Sequence, residues 1–287
     1  MPLITYRAAI ADALREELAR DQRVFLLGEG IGYGGGEFGV TAGMLSRFGE
    51  RRIRDTPRSD ASMASVAIGA AIGGLVPVVE MRTGTLALAA AGQLRNYRTL
   101  PIVIRAPLGN DAAFESIPGG NPAVRVIAPA SPADAKGMLK AAVRHGGPVI
   151  VLEHRLLYDL NGEVPGDPDY VAPLEGARII RDGAALTIVA YSHAVEESKA
   201  AAAILEGRGI SAGIIDLRAL APLDTATVAA SIGRTGRAII ASDGLPGAEA
   251  EIAASIYRCA FRSLRSPIDI ATAARASDIV DIAVRLV

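Results

Sequence analysis

Short runs of apolar residues recur along this chain, each followed by a helix-length stretch and a turn. Val24-Phe25-Leu26-Leu27, Val76-Pro77-Val78-Val79, Pro101-Ile102-Val103-Ile104 and Val149-Ile150-Val151-Leu152 carry no polar residue at all. Runs of this length are too short for buried helices and lack the alternation of a half-exposed strand. They fit parallel strands covered on both faces. Val124-Arg125-Val126-Ile127 and Ile53-Arg54-Asp55 read as two more strands. Helical patterns fall between them. Thr5 is a good N-cap for a helix over residues 6–20, with Ile10, Ala11, Leu14 and Leu18 facing inward. Further helices are expected over 42–48, over the small-residue stretch 61–73, over the Ala-rich stretch 85–98 and over 132–144. Strand and helix in alternation with short connections predict an α/β doubly wound sheet.

The pattern then starts again. Strands are expected at 185–190, 211–216 and 238–241, and helices at 194–207, 225–233, 248–262 and 274–287. The stretch 161–175 is rich in Gly, Pro and Asp and reads as a linker. Two domains follow, 1–175 and 176–287, a comfortable division for 287 residues.

Composition removes several classes of function. Hydrophobic residues make up 50% of the chain and charged ones 21%, which suits large cores rather than disorder. The net charge is −1 with no block of like charges, so neither a nucleic acid nor a membrane surface is an expected partner. The most apolar stretch, 66–79, is broken by glycines and Pro77 and is too short to span a bilayer. The start Met1-Pro2-Leu3-Ile4-Thr5 lacks a signal-peptide pattern, and a single cysteine excludes an internal disulfide; both point to the cytoplasm. That cysteine, Cys259, is expected to be a buried packing residue. No His/Cys/Asp spacing suggests a zinc site, so no metal ligands are assigned. The run Gly34-Gly35-Gly36 lacks the Walker lysine and the dinucleotide fingerprint, and reads as turn geometry.

Several segments stand in a recognisable order. They are Gly28-Glu29 with Phe38-Gly39-Val40-Thr41, Asp55-Thr56-Pro57, Asp134-Ala135-Lys136-Gly137, Val151-Leu152-Glu153-His154 with Leu156-Leu157-Tyr158, and Gly162-Glu163-Val164-Pro165. Thr187-Ile188-Val189-Ala190-Tyr191, Ile215-Asp216-Leu217-Arg218 with Pro222-Leu223-Asp224, and Arg234-Thr235-Gly236-Arg237 follow. Together they cover nearly the whole chain. The chain resembles the beta subunit of the thiamine-diphosphate-dependent dehydrogenase component of 2-oxo-acid dehydrogenase complexes (pyruvate, acetoin and branched-chain type), in the transketolase-like superfamily. The resemblance implies a pyrimidine-binding domain followed by a transketolase C-terminal-like domain. It implies thiamine diphosphate as cofactor, held here by its pyrimidine end. An alpha subunit with a Gly-Asp-Gly…Asn motif would hold the diphosphate and Mg²⁺, in an α2β2 assembly; a lipoyl carrier or an acceptor carbonyl would take the acyl or aldehyde unit. This chain has no Gly-Asp-Gly tripeptide, as a beta subunit would not. Studied alone, it is expected to cover its apolar faces as a homodimer.

The resemblance also names candidate site residues. Asp60 aligns with the family's Glu, the carboxylate that favours the imino tautomer of the pyrimidine, and is the catalytic candidate. It is one methylene shorter, and a displacement of about 1 Å in a catalytic group costs on the order of 10²-fold. The alternative is that Ser59 or Asp60 simply caps the following helix. Glu29 is a cofactor-pocket candidate or a solvated loop acid. Arg82 and Leu86 lie where the family carries pocket residues, Leu86 at an aromatic position. Arg82 binds an anionic substrate, or else forms an ion pair with Glu80 or Asp60. The family's His-Ser loop is shortened at 108–116 and has no histidine. His145, His154 and His193 lie elsewhere, His193 as a cap or surface residue. After Ile270 the family's Pro/Tyr-rich interface segment is replaced by a closing helix. Two readings result. The first is a beta subunit of an enzyme that decarboxylates a 2-oxo acid and transfers the acyl or aldehyde unit. The second is a catalytically degenerate structural subunit that keeps the fold and assembly surfaces.

Overall fold

The computed structural model describes residues 1–57, 59–81, 94, 97–108, 124–244, 247–272 and 274–287. The chain forms two units, one from the described residues up to Leu174 and one running Glu175–Val287.

The first unit opens with a short strand β1 (Leu3–Thr5) and helix α1 (Tyr6–Arg20). Thr5 caps α1 as its sequence predicts, Oγ1 accepting the Ala8 N–H at 3.1 Å. Strand β2 (Val24–Gly28), helix α2 (Met44–Phe48), strand β3 (Ile53–Asp55), helix α3 (Asp60–Ile72) and strand β4 (Val76–Glu80) follow. Then come β5 (Val103–Leu108), β6 (Arg125–Ile127), α4 (Pro132–Arg144), β7 (Val149–His154) and β8 (Asn161–Glu163). Every residue of β2, β4 and β7 is buried, which is what their unbroken apolar runs require.

Six strands of this unit pair in the order β6-β7-β5-β4-β2-β3, all parallel. From β2 the chain steps to β3 on one side, then crosses back to β4 on the other. The order therefore reverses between β2 and β4. In open parallel sheets a crevice forms at such a reversal, outside the carboxyl ends of the strands.

Helix α4 is closed at its start by Ser131, whose Oγ accepts the Asp134 N–H, with Pro132 in the first turn. It packs on α1. Lys140 and Lys136, both buried, grip Glu16 at 2.6 and 2.7 Å. Arg144 pairs with the buried Glu17.

The second unit holds β9 (Arg178–Arg181), β10 (Leu186–Ala190), α5 (Ala194–Glu206), β11 (Ala212–Asp216), β12 (Ala219–Ala221), α6 (Thr225–Thr235), β13 (Ala238–Ala241), α7 (Ala248–Ala260), β14 (Asp269–Ala271) and α8 (Ala276–Leu286). Its five-stranded sheet runs β14-β13-β10-β11-β9, with only the edge strand β9 antiparallel. Buried hydroxyls of Thr187, Ser231 and Thr235 satisfy one another between β10 and α6.

The structure corrects four expectations. Residues 161–163, read as part of a linker, form β8, which pairs antiparallel with β1 from Leu3↔Glu163 to Thr5↔Asn161. A strand of Asn, Gly and Glu carries no apolar pattern to betray it. Helix α2 begins at Met44 rather than 42, because Gly43 adopts φ +75° and starts it from a turn. Cys259 is exposed, not buried. The inward stripe of α7 is Ala248, Ile252, Ile256 and Ala260, at steps of four, and Cys259 falls beside it. Ser59 occupies the N-cap position of α3, but its side chain makes no capping bond and pairs instead with the Ser62 hydroxyl at 2.8 Å. The helix expected over 85–98 and the shortened loop at 108–116 lie almost wholly outside the described residues.

Candidate functional site

Gly28 is the meeting point of three strands. It sits in register with Asp55 of β3 on one side and Glu80 of β4 on the other. The Thr56 N–H donates to the Gly28 carbonyl at 3.0 Å, drawing the exit of β3 against that of β2. Glu29, half-buried, is therefore the first residue beyond β2, at the reversal of strand order. The segment leaving β3 reaches Asp60, the first residue of α3, four residues beyond Thr56. The fold thus brings Glu29 and the backbone of Asp60 to one carboxyl edge. Arg82 and Leu86 lie outside the described residues.

Beyond Glu29 the chain makes a tight glycine loop, and the structure fastens it at several points. The Asp55 carboxylate accepts the N–H groups of Gly32 at 2.7 Å and Tyr33 at 3.3 Å. The Thr41 hydroxyl, buried, donates to the Ile31 carbonyl at 2.6 Å. The Glu37 N–H donates to Glu80 Oε1 at 2.7 Å. Gly36 sits at φ 72°, ψ −177°, a conformation essentially reserved for glycine. A Cβ there would lie 2.7 Å from Thr41 Oγ1 and 2.9 Å from Glu80 Oε1. Phe38 takes a left-handed φ of 56°, and its ring lies 4.7 Å from that of Tyr158.

Beneath this loop is a buried ionic network. Arg105, inside β5, is 1% exposed. Its Nη1 donates to Glu80 Oε2 at 2.8 Å. Its Nε and Nη2 make a two-pronged contact with Glu153, at 2.7 and 2.6 Å. The Tyr158 hydroxyl donates to Glu153 Oε2 at 2.5 Å. Burial works against the charge on Arg105, but Glu153 and Glu80 outweigh it, so the guanidinium is held protonated above its ordinary range. Burial pushes the Glu80 carboxyl up, and Arg105 and the Glu37 N–H only partly offset this. Burial and then Glu153 push Tyr158 well above the usual phenol range, which keeps it a donor.

The sequence reading did not find this network. Glu80 enters it only as a possible partner for Arg82, which lies outside the described residues; among the described residues its carboxylate oxygens are engaged by Arg105 and Glu37. A signal was present: Arg105 and Glu153 each interrupt or end a run of buried aliphatics, where a charge survives only with a partner.

The three histidines have partners of their own, His154 as the last residue of β7. His145 Nε2 accepts from Arg125 Nε at 2.9 Å. His154 Nδ1 accepts the Leu156 N–H at 3.3 Å. His193 is the N-cap of α5, with no side-chain capping bond, and its N–H donates to Asp243. Among the described residues no three His, Cys, Asp or Glu side chains form a metal-holding group. No helix among them is long and apolar enough to cross a membrane.

A hollow of about 880 Å³ lies at the opposite, amino end of the strands, lined by Val76, Pro101, Arg20, Arg23 and Arg144. Its arginines are already committed to Asp169, Asp21 and Glu17. Size notwithstanding, the carboxyl edge with its strand reversal is the better candidate. Helix α3 borders that edge and leaves Val66 and Ile72 exposed by 53% and 64%; Leu75, just beyond the helix, is also exposed.

Comparison with known proteins bears on this arrangement. Residues 3–161 match the transketolase pyrimidine-binding domain and residues 175–278 the transketolase C-terminal domain. The chain is 37% identical to the 2-oxoisovalerate dehydrogenase subunit beta of Bacillus subtilis, over 93% of this chain and 88% of that one. It is 36% identical to the pyruvate dehydrogenase E1 component subunit beta of the same organism, over 93% and 89%. In fold it matches a split-gene transketolase solved as an inactive beta4 tetramer, with a TM-score of 0.76, 20% identity, and coverage of 99% and 98%.

Proposed function

This chain belongs to the family of 2-oxo-acid dehydrogenase E1 beta subunits, and from that premise we propose that it is the beta half of a thiamine-diphosphate-dependent enzyme acting on a 2-oxo acid. The observation that carries the reading is the carboxyl edge at the β2/β4 reversal. There Glu29 and the start of α3, with Asp60 as its first residue, leave adjacent strand ends. A planar, hydrogen-bonding ring fits such an edge: it offers a carboxylate, backbone groups freed at strand ends and a helix amino terminus.

In this reading the cofactor, when bound, would supply the nucleophilic carbon and the electron sink that decarboxylation of a 2-oxo acid needs. The residues of this chain hold its pyrimidine end. Asp60 would share a proton with the ring nitrogen that faces it and so favour the imino tautomer, and Glu29 would line the pocket. The tied glycine loop keeps Glu29 at the edge and excludes water from beneath it. Arg82 and Leu86 complete the proposed pocket from the segment after Glu80. The diphosphate and Mg²⁺ are assigned to an alpha partner, in an α2β2 assembly with a lipoyl carrier as acceptor. Exposed Val66, Ile72 and Leu75 support an assembly that covers them, by alpha or, in isolation, by a second copy of the chain. The cytoplasm is the proposed location.

The second reading, a structural subunit without cofactor chemistry, is favoured by one specific observation: the family's Glu is Asp60 here. The test is calorimetric titration of thiamine diphosphate with Mg²⁺ into the chain co-expressed with a Gly-Asp-Gly…Asn alpha partner. Wild type should bind, Asp60→Ala should weaken binding about tenfold or more, and Asp60→Glu should retain it. A stable complex that binds cofactor in no form would leave the structural subunit.

A further inference from the structure

The contacts around Glu80 form a closed circuit. It leaves the glycine loop at the Glu37 N–H and passes through Glu80, Arg105, Glu153 and Tyr158. It returns to the loop at the ring of Phe38, the very next residue. Each link has one feature that a merely space-filling core would not need. Glu80 divides its two oxygens, one upward to the loop and one inward to Arg105. Arg105 reaches both carboxylates, so neither lies buried without a cation. Tyr158 spends its hydroxyl on Glu153 and its ring on Phe38. Gly36 has no room for a side chain because Glu80 and Thr41 occupy the space. A network that served only sheet stability would have no reason to hold a strained pair, Gly36 and Phe38, on the loop above it.

We infer that Glu80, fixed by Arg105, is a positioning residue: it sets the conformation of the 30–41 loop and through it the placement of Glu29 at the cofactor edge. This rests on the reading given under Proposed function, but the loop-setting part stands apart from it. The bond geometry explains why a carboxylate is required. One oxygen accepts from a backbone N–H and the other from a guanidinium. A glutamine in the same place presents one acceptor and one donor. If its oxygen serves Glu37, its amide faces the Arg105 donor; if turned over, it faces the Glu37 N–H. One link is lost either way, with almost no change in volume.

The test uses the full chain with Glu80→Gln and measures backbone hydrogen exchange by peptide. The expected result is that amides of residues 30–41 exchange about ten- to a hundredfold faster, the scale of one lost bond to a charged group. Peptides from β2, β4 and β7 and from the second unit should be unchanged. Unaltered exchange in the loop, or a uniform rise through the first unit, would overturn the proposal. Should Glu80→Gln not fold, Phe38→Leu acts from the loop side, where the residue is only half-buried. It should also loosen the Glu37 amide, and failure to do so would count equally against the circuit. In the complex with the alpha partner, Glu80→Gln should raise the Kd for thiamine diphosphate about tenfold. A loosened loop with unchanged Kd would refute the link to Glu29. Absence of cofactor binding in wild type would instead sink the function reading and leave the exchange result to stand by itself.

Discussion

Arg105→Met tests the energetics of the buried network most directly. The methionine keeps much of the arginine stem in the core but removes three charge-assisted bonds, at 2.8, 2.7 and 2.6 Å. Two carboxylates remain, with side chains 4% and 0% exposed. Among the described residues each keeps one donor, the Glu37 N–H for Glu80 and the Tyr158 hydroxyl for Glu153. Breaking a buried pair typically costs about 3–5 kcal/mol. The remaining donors, and the readiness of Glu80 to take a proton, place the loss near about 4 kcal/mol at pH 7.5. At about 2–4 °C per kcal/mol for a unit of this size, the melting temperature should fall by about 8–16 °C. The sign of the pH effect is fixed by Glu80. Its folded carboxyl already lies above the ordinary 4.5, because of burial, and losing Arg105 raises it further. A raised carboxyl binds its proton more tightly in the folded than in the unfolded chain. Its penalty is absent below the ordinary value and grows as pH rises through the folded value. The variant's deficit should therefore shrink steadily as the pH is lowered from 7.5 towards 4.5. Differential scanning calorimetry across that range reads both quantities. A deficit below about 1 kcal/mol at pH 7.5, or one that widens on acidification, would refute the reasoning.

Two further substitutions probe other parts of the first unit. Gly36→Ala forces a side chain into a glycine-only conformation and against Glu80 and Thr41. It should cost about 2–4 kcal/mol by urea unfolding, and a change within 0.5 kcal/mol, roughly the scatter of neutral surface mutations, would contradict the described loop. Lys140→Met removes a fully buried ammonium that contacts Glu16 and the Pro168 carbonyl, while Glu16 keeps Lys136. The expected loss is about 1–3 kcal/mol in the same assay, and an unchanged urea midpoint would show that the lysine contributes nothing net.

Much of the architecture was legible because local signals and tertiary demands coincide. Helix α1 starts after Thr5 and α4 spans Pro132–Arg144, as capping chemistry and periodicity indicate. The buried parallel strands follow from unbroken aliphatic runs. Strands β1, β8, β9, β12 and β14, three or four residues long, were not legible, although the equally short β3, β6 and β13 were. Length that short leaves no period to detect, and partners far along the chain decide the structure, as Leu3↔Glu163 illustrates. The same holds for the candidate site. Glu29 and Asp60 were marked by resemblance, and the fold sets the backbones that carry them at one edge. The circuit beneath them was not marked, because its logic lies in pairings between residues such as Arg105 and Glu153, which sequence spacing does not reveal. Cys259 failed for a simpler reason: a residue type usually buried sits one position off the inward stripe of its helix.

The circuit also has a bearing on the order in which the chain acquires its shape. Glu37 and Glu80 are 43 positions apart, and Arg105 and Glu153 are 48 apart. None of these bonds closes a local turn; each waits for a separate crossover to bring a distant strand alongside. The tie from Glu37 needs β4 in place, and the tie between Arg105 and Glu153 needs β5 and β7. A chain that stops short of β7 lacks Glu153 and Tyr158, and the circuit beneath the loop stays open. The shape of one loop is thereby tied to the joining of three strands distant from it in sequence.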